Sequence, residues 1–453
     1  MIAKTTAGRR AYVNADVVAP AQGLKSKGGV LIEEGWILAA GPKVTREAAG
    51  SGTAIVDCGG LTLVPGLIDM RVFTGEPGTE YRETLASASE AAAAGGVTTM
   101  IVMPNTQPVI DDAAIVDFIM RRARDTALVR VAPMAAITKG LGGEMMTEVG
   151  GLKEAGAVAI TDGTKAVANA NVFRRALAYA KDFDMLVVQH VEEPTLATGV
   201  MNASEIASRL GLSGIPAMSE VIMLERDLRL VEMTGARYHA SQISCRHSLD
   251  VIRAAKAKGL PVTCGVSIHH LSLNENDIGA YRTFFKLSPP LRTEDDRRAL
   301  VEGVADESID VIVSSHDPQS ADTKRLPFAE AAFGAIGLET MLSAALGLYH
   351  TENVSLARLV EAMSSKPAQI LGLESGRLEA GAPADFALVD LNVNWTVKEE
   401  LLRSRAKNSP FERRTLEGRC VETVVAGRSV YTYAHHSPLP SGERKGPKRS
   451  LGR

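Results

Sequence analysis

The sequence predicts an α/β protein: a closed (β/α)8 barrel of the TIM class with a small β-sandwich built from both chain ends. Three observations predict it. The middle of the chain alternates short apolar, β-rich runs with runs whose apolar residues recur at helical spacing. Glycines stand just ahead of the next apolar run at Gly96, Gly156, Gly235 and Gly259, where the left-handed conformation that ends a helix is needed. Both ends are rich in short β-like runs separated by turn residues. A length of 453 residues suits one barrel plus an added module, and 45% hydrophobic residues suffice for a large core.

Taken in order, residues 1–63 carry AYVNADVV, GGVLIEEGWILAAGP and TAIVDCGGLTLV, the first half of the sandwich. The barrel is expected over 64–375. There TTMIVMP precedes the helical pattern DDAAIVDFIMRRARD, AVAITDG precedes NVFRRALAYAKDFD, and MLVVQHV precedes SEVIMLERDLRLVEMTG. RYHASQIS precedes SLDVIRAAKAKG, PVTCGVS follows, and IDVIVSSHD comes last, before LETMLSAALGLYH. Residues 376–433, with GRLEAGAPADFALVDL and CVETVVAGRSVYTY, return to the sandwich. The remainder, 434–453, is rich in Pro, Gly, Ser and basic residues and is expected to be a disordered basic tail, its His435–His436 pair a solvated feature. An open doubly wound sheet is the alternative, but no G-x-G-x-x-G turn follows a first strand.

A net charge of −3 points away from nucleic acid or a membrane surface as the main partner. The cysteines Cys58, Cys245, Cys264 and Cys420 form no CxxC pair and read as reduced thiols. With no signal-peptide pattern and no transmembrane-length apolar run, a cytoplasmic location is expected.

In a barrel, chemistry sits where strands end. The polar residues closing the apolar runs are Asn105, Asp162, His190, Gln242, and Ser315 with His316; LVPGLIDMRVF closes on Arg71 and Phe73. A hydrolytic metal centre needs several His and carboxylate ligands. Only Asp162 and His190 suit, with His239 and His316 as further candidates that serve equally well as hydrogen-bonded barrel histidines. The pair His269–His270 is expected to pack in a loop after a strand.

The segment LTLVPGLIDMRVFTGEPGTEYRETLASASEAAAAGGVTTMIVMPNTQPVIDD closely resembles the first barrel segment of bacterial dihydroorotases. HVEE, VTCGVSIHHLSLNENDI, KLSPPLRTEDDRRAL, FGAIGLET and GRLEAGAPADFALVDL resemble further blocks of that family in the same order, over residues 10–433. The resemblance implies an amidohydrolase barrel with a flanking β-sandwich. It also implies the reversible closure of carbamoyl aspartate to dihydroorotate by a metal-bound hydroxide, with an aspartate shuttling the proton. Carried over residue by residue, the family's HxH metal pair falls on Arg71 and Phe73. One cannot donate a lone pair because it is always charged, the other because it has none. Asp162 and His190 match retained ligands, Gln242 replaces a ligand histidine, Ser315 stands at the proton-shuttle position, and Gln319 replaces a last histidine. Of the family's substrate-carboxylate positions, Gly75 and Ser288 have lost their side chains' function, while Asn105 and Arg292 remain as vestiges of substrate binding.

Three readings follow. The chain resembles the non-catalytic dihydroorotase homologue that associates with aspartate carbamoyltransferase; this implies a scaffold in a homo- or hetero-oligomer, no cofactor, and no nucleic-acid or membrane partner. Alternatively it is an active dihydroorotase whose zinc is held by Asp162, His190 and His239 or His316, with Asp317 as proton shuttle. The third reading is a hydantoin- or allantoin-type cyclic amide hydrolase, which needs a carbamylated lysine where Asp162 stands; Lys165 lies past that strand end. If no metal is present, Asp162 and His190 are expected to bond to each other and to Arg71 across the mouth.

Overall fold

The computed structural model describes residues 8–433; the basic tail and His435–His436 lie outside the described residues. Five strands open the chain: β1 (Arg10–Ala19), β2 (Leu24–Glu33), β3 (Trp36–Gly41), β4 (Ala54–Asp57) and β5 (Thr62–Pro65). Strand β1 alternates two apolar faces. Tyr12, Ala15 and Val17 pack into one core, and Ala11 and Val13 into another, so both sides of the strand are covered.

The barrel follows with β6 (Leu67–Val72), β7 (Val97–Val102), β8 (Arg130–Ala135), β9 (Ala159–Ile160), β10 (Leu186–Gln189), β11 (Tyr238–Ala240), β12 (Val262–Ser267) and β13 (Val311–Val313). Each pairs in parallel with the next. The ring closes where Val72 bridges His316, the Phe73 amide donating to the His316 carbonyl at 2.8 Å. One large apolar cluster joins Met100 of β7, Val187 of β10 and Ile312 of β13 to Ile119, Leu177 and Leu249 of the surrounding helices. Those helices start where expected: Asp112 caps Ala113–Thr126 and Asn169 caps Ala170–Asp182, each side chain accepting from first-turn amides. The four glycines at the αβ turns all have positive φ, from 67° at Gly235 to 110° at Gly156.

Strand β8 is the barrel strand the pattern did not reveal. It carries Pro133, which counts against a strand in a sequence reading, and its first three residues are only half-buried.

Three last strands, β14 (Phe386–Thr396), β15 (Thr415–Val425) and β16 (Arg428–Thr432), complete the terminal module. The two chain ends meet as expected, but hydrogen bonding is continuous through a single eight-stranded sheet. Its order is β16-β15-β14-β5-β1-β2-β3, with β4 on β1. The junction is antiparallel β14 on β5, Phe386 opposite Pro65, so the chain leaves this sheet at Pro65 and starts the barrel at Leu67. All four cysteines are buried and free. No helix among the described residues is long and apolar enough to cross a membrane.

Candidate functional site at the barrel mouth

The strand ends converge on a cavity of about 430 Å³. Arg71 near the end of β6, Phe73 just after it, Asn105 after β7 and Thr164 after β9 line it. So do His269 and His270 after β12, Ser288, and Ser315 and Asp317 after β13, and Arg82 enters from the loop after β6.

Arg71 is 1% exposed, and its Nη1 donates to Ser241 Oγ at 2.6 Å. Its guanidinium carbon lies 5.2 Å from the centre of the Phe73 ring, a cation–π contact. Burial pulls its pKa down to about 10, against the opposing pull of Asp317 and Asp69.

Asp162 does not reach Arg71 or His190, which corrects the expected hydrogen-bonded group. Its Oδ1 accepts from the Ile137 and Thr138 amides, each at 2.9 Å, and its Oδ2 accepts from the Thr138 hydroxyl. Two amides from the turn after β8 outcompete a distant side chain, because a carboxylate satisfied by local donors has nothing to gain by crossing the mouth. Burial raises its pKa. His190 pairs instead with its own neighbour, Nε2 lying 3.1 Å from Glu192 Oε2 and 3.4 Å from Ser288 Oγ. Burial acts to raise the Glu192 pKa, but His190 and Arg292 outweigh it and hold the carboxyl below its usual range. Gln242 donates from Nε2 to the Ser288 carbonyl at 2.8 Å.

The other candidates also have partners of their own. His239 Nδ1 lies 2.8 Å from Thr263 Oγ1, and burial pushes its pKa down to about 4. His316 faces away from the cavity: its Nδ1 accepts from the Gly337 amide at 3.2 Å and its Nε2 lies 3.5 Å from Glu83 Oε2. Asp317 is engaged by Arg82 Nη2 at 2.8 Å and Gln319 Nε2 at 2.8 Å, and burial raises its pKa. Ser315 lies at the cavity wall with a φ of 49°. Lys165 is exposed. Asn105 donates to Thr164 Oγ1 at 3.2 Å and borders the cavity. Arg292 is 2% exposed and lies outside the cavity wall, spending Nε on Ser244 Oγ and Nη1 on Asn202 Oδ1 and the Ile215 carbonyl. His270 donates from Nε2 to the Pro289 carbonyl at 3.1 Å, while His269 packs 5.7 Å from the Phe411 ring. Sequence reasoning missed Arg82, which sits in a loop without a strand-end signature, and Ser241, which follows its strand directly but was passed over for its neighbour Gln242.

Zinc fits this donor set poorly. Where the resemblance places two histidine ligands there are a guanidinium and a phenyl ring, and Asp162 is turned onto two amides. Among the described residues, no three His, Cys, Asp or Glu side chains gather where an ion would be held.

Residues 60–248 match the family described as dihydro-orotase-like. A dihydroorotase from Anaplasma phagocytophilum is 41% identical, covering 93% of this chain and 95% of its own length. One from Citrifermentans bemidjiense is 44% identical, covering 92% and 97%. The chain belongs to the dihydroorotase family. Among solved structures, an L-hydantoinase from Arthrobacter aurescens superposes with a TM-score of 0.84 at 24% identity, over 93% of this chain and 95% of that one. A dihydropyrimidinase from Brevibacillus agri gives 0.79 at 20% identity over 93% and 94%. These two share the fold, a (β/α)8 barrel with its flanking sheet. At the barrel mouth of this dihydroorotase-family chain, Arg71 and Phe73 stand where the sequence resemblance places metal-binding histidines.

Proposed function

We propose that this chain is a catalytically impaired dihydroorotase-like protein of pyrimidine biosynthesis that serves as a structural partner of aspartate carbamoyltransferase. The observation that carries the reading is Arg71: a buried, permanently charged guanidinium stands where the resemblance places a metal ligand, 5.2 Å from Phe73 at the second such position. A cation there repels a second cation and supplies no lone pair. The remaining groups do not restore the chemistry. Ser315 offers a hydroxyl where proton transfer near neutral pH needs a carboxylate or imidazole, and Asp317 is tied to Arg82 and Gln319. The partnership rests on the resemblance to the non-catalytic homologue and on the retention of the whole barrel and terminal sheet around an altered mouth.

The test is an assay of the purified full chain in both directions, on dihydroorotate and on carbamoyl aspartate, with added zinc, alongside recovery of the tagged chain from cells that also make aspartate carbamoyltransferase. No turnover and stoichiometric recovery of the transcarbamoylase are expected. Turnover abolished by His190→Ala would overturn the impairment, and recovery of the chain alone would overturn the partnership.

A further inference from the structure

Three arginines are buried among the described residues: Arg71, Arg292 and Arg358. Arg358 spends all three guanidinium nitrogens, on the Val304 carbonyl, Glu361 and the Ile309 carbonyl. Arg292 spends two. Arg71 spends only Nη1, on Ser241; among the described residues it forms no ion pair and its Nε has no partner. The nearby carboxylates are committed elsewhere. Asp317 binds Arg82 and Gln319, and Asp69 accepts from the Arg71 and Ser314 amides. A buried guanidinium in that condition carries a large desolvation cost and gains strongly from an anion that reaches it.

Such an anion has room, because Arg71 borders the cavity of about 430 Å³. Both ring nitrogens of His269, in the same wall, lack a partner, and burial keeps that ring neutral with a pKa near 3. Asn105 Oδ1 is likewise without a partner. Phe73, Leu287 and Phe333 give the wall an apolar share. Arg82 is already paired with Asp317, and the buried Asp69 carboxylate acts on the Arg71 charge without pairing with it, so the positive charge open to a ligand at Arg71 is small and suits a singly charged group better than a dianion. A guanidinium also matches the planar, two-oxygen geometry of a carboxylate.

We propose that the barrel mouth is a receptor for a small organic monocarboxylate, its carboxylate seated on Arg71 at the position the resemblance gives to a metal, and its uncharged body against Phe73, Leu287 and Phe333. This rests on the reading that no metal occupies the mouth.

Benzoate is the probe, with benzamide as its neutral isostere and inorganic phosphate as the dianionic control, titrated calorimetrically into the full chain with and without a chelator. Saturable benzoate binding that survives the chelator is expected, with benzamide and phosphate bound at least about tenfold more weakly, the loss of one charge-assisted contact. Arg71→Gln is expected to weaken benzoate by a similar factor, while Arg71→Lys retains part of the affinity. The benzamide comparison uses the unaltered protein, so it decides the matter even if the variants fail to fold. Equal binding of benzoate and benzamide, or no benzoate binding by a metal-free chain, would overturn the receptor alone. Benzoate binding that the chelator abolishes would overturn the metal-free reading beneath it.

Discussion

Arg71 and Asp162 show how single side chains decide the chemistry of the mouth. Arg71 is a buried cation with one side-chain hydrogen bond, so replacing it with an apolar side chain of similar length removes more desolvation cost than bonding. Arg71→Met is expected to be neutral or stabilising by about 1–4 kcal/mol; thermal unfolding checks it, and a melting temperature several degrees lower would contradict the account. Asp162 has the opposite character. Asp162→Ala strips the Ile137 and Thr138 amides and the Thr138 hydroxyl of their acceptor, and a loss of about 2–4 kcal/mol is expected in denaturant titration. His269 supplies a pH dependence. Burial lowers its pKa from 6.5 to about 3, so between those values the unfolded chain takes up a proton that the folded chain refuses. Its contribution to stability therefore falls as pH drops below 6.5. Asp69 acts in the other direction, because burial raises its pKa to about 6, so the comparison must be made between variants. Stability of His269→Gln is expected to decline less steeply with acid than that of the parent protein, and parallel curves would refute the assignment.

Among the elements, the β6–β13 closure and the loop beyond it shape the cavity wall. Asp317 returns along this loop, its amide donating to the Ala335 carbonyl, and Gly334 packs against its carboxylate. At Gly334 φ is +115°, and a Cβ would lie 2.6 Å from Asp317 Oδ2. Gly334→Ala is expected to cost roughly 2 kcal/mol and to loosen the Arg82–Asp317 pair, read as lower thermal stability; an unchanged melting point would argue against a rigid wall. Elements were legible in the sequence where period and punctuation agreed. Helical spacing marked Ala113–Thr126 and Ala170–Asp182, and the turns at Gly96, Gly156, Gly235 and Gly259 carried glycine. Strand β8 was not legible, since Pro133 breaks the usual signature and only the neighbouring strands β7 and β9 define its place.

Across the whole molecule, Asp385 ties the terminal sheet to the barrel. Its side chain, 1% exposed, accepts from Arg130 Nε at 2.6 Å and Nη2 at 3.2 Å on the barrel side, and from the Ala426 amide in the sheet at 2.8 Å. Asp385→Ala is expected to cost roughly 3 kcal/mol, since it leaves a guanidinium and an amide without their acceptor. Chemical denaturation followed by the fluorescence of Trp36 and Trp395, both in the terminal sheet, would report it, and no shift in midpoint would count against a coupled module. The barrel and the joining of the two ends were visible in the residue pattern, because apolar strands and their turn residues are local signals. The mouth was legible only as a set of residue types. Which partner each would choose depended on loops folding back, as with the Thr138 turn onto Asp162 and Arg82 onto Asp317, and no spacing encodes such contacts.

The proposed function requires that a guanidinium has taken the place of a metal at the barrel mouth. Elemental analysis of the full chain, purified without chelator from zinc-supplemented cells, tests it most directly. Far less than one zinc per chain is expected; one or two tightly held ions per chain would refute that replacement.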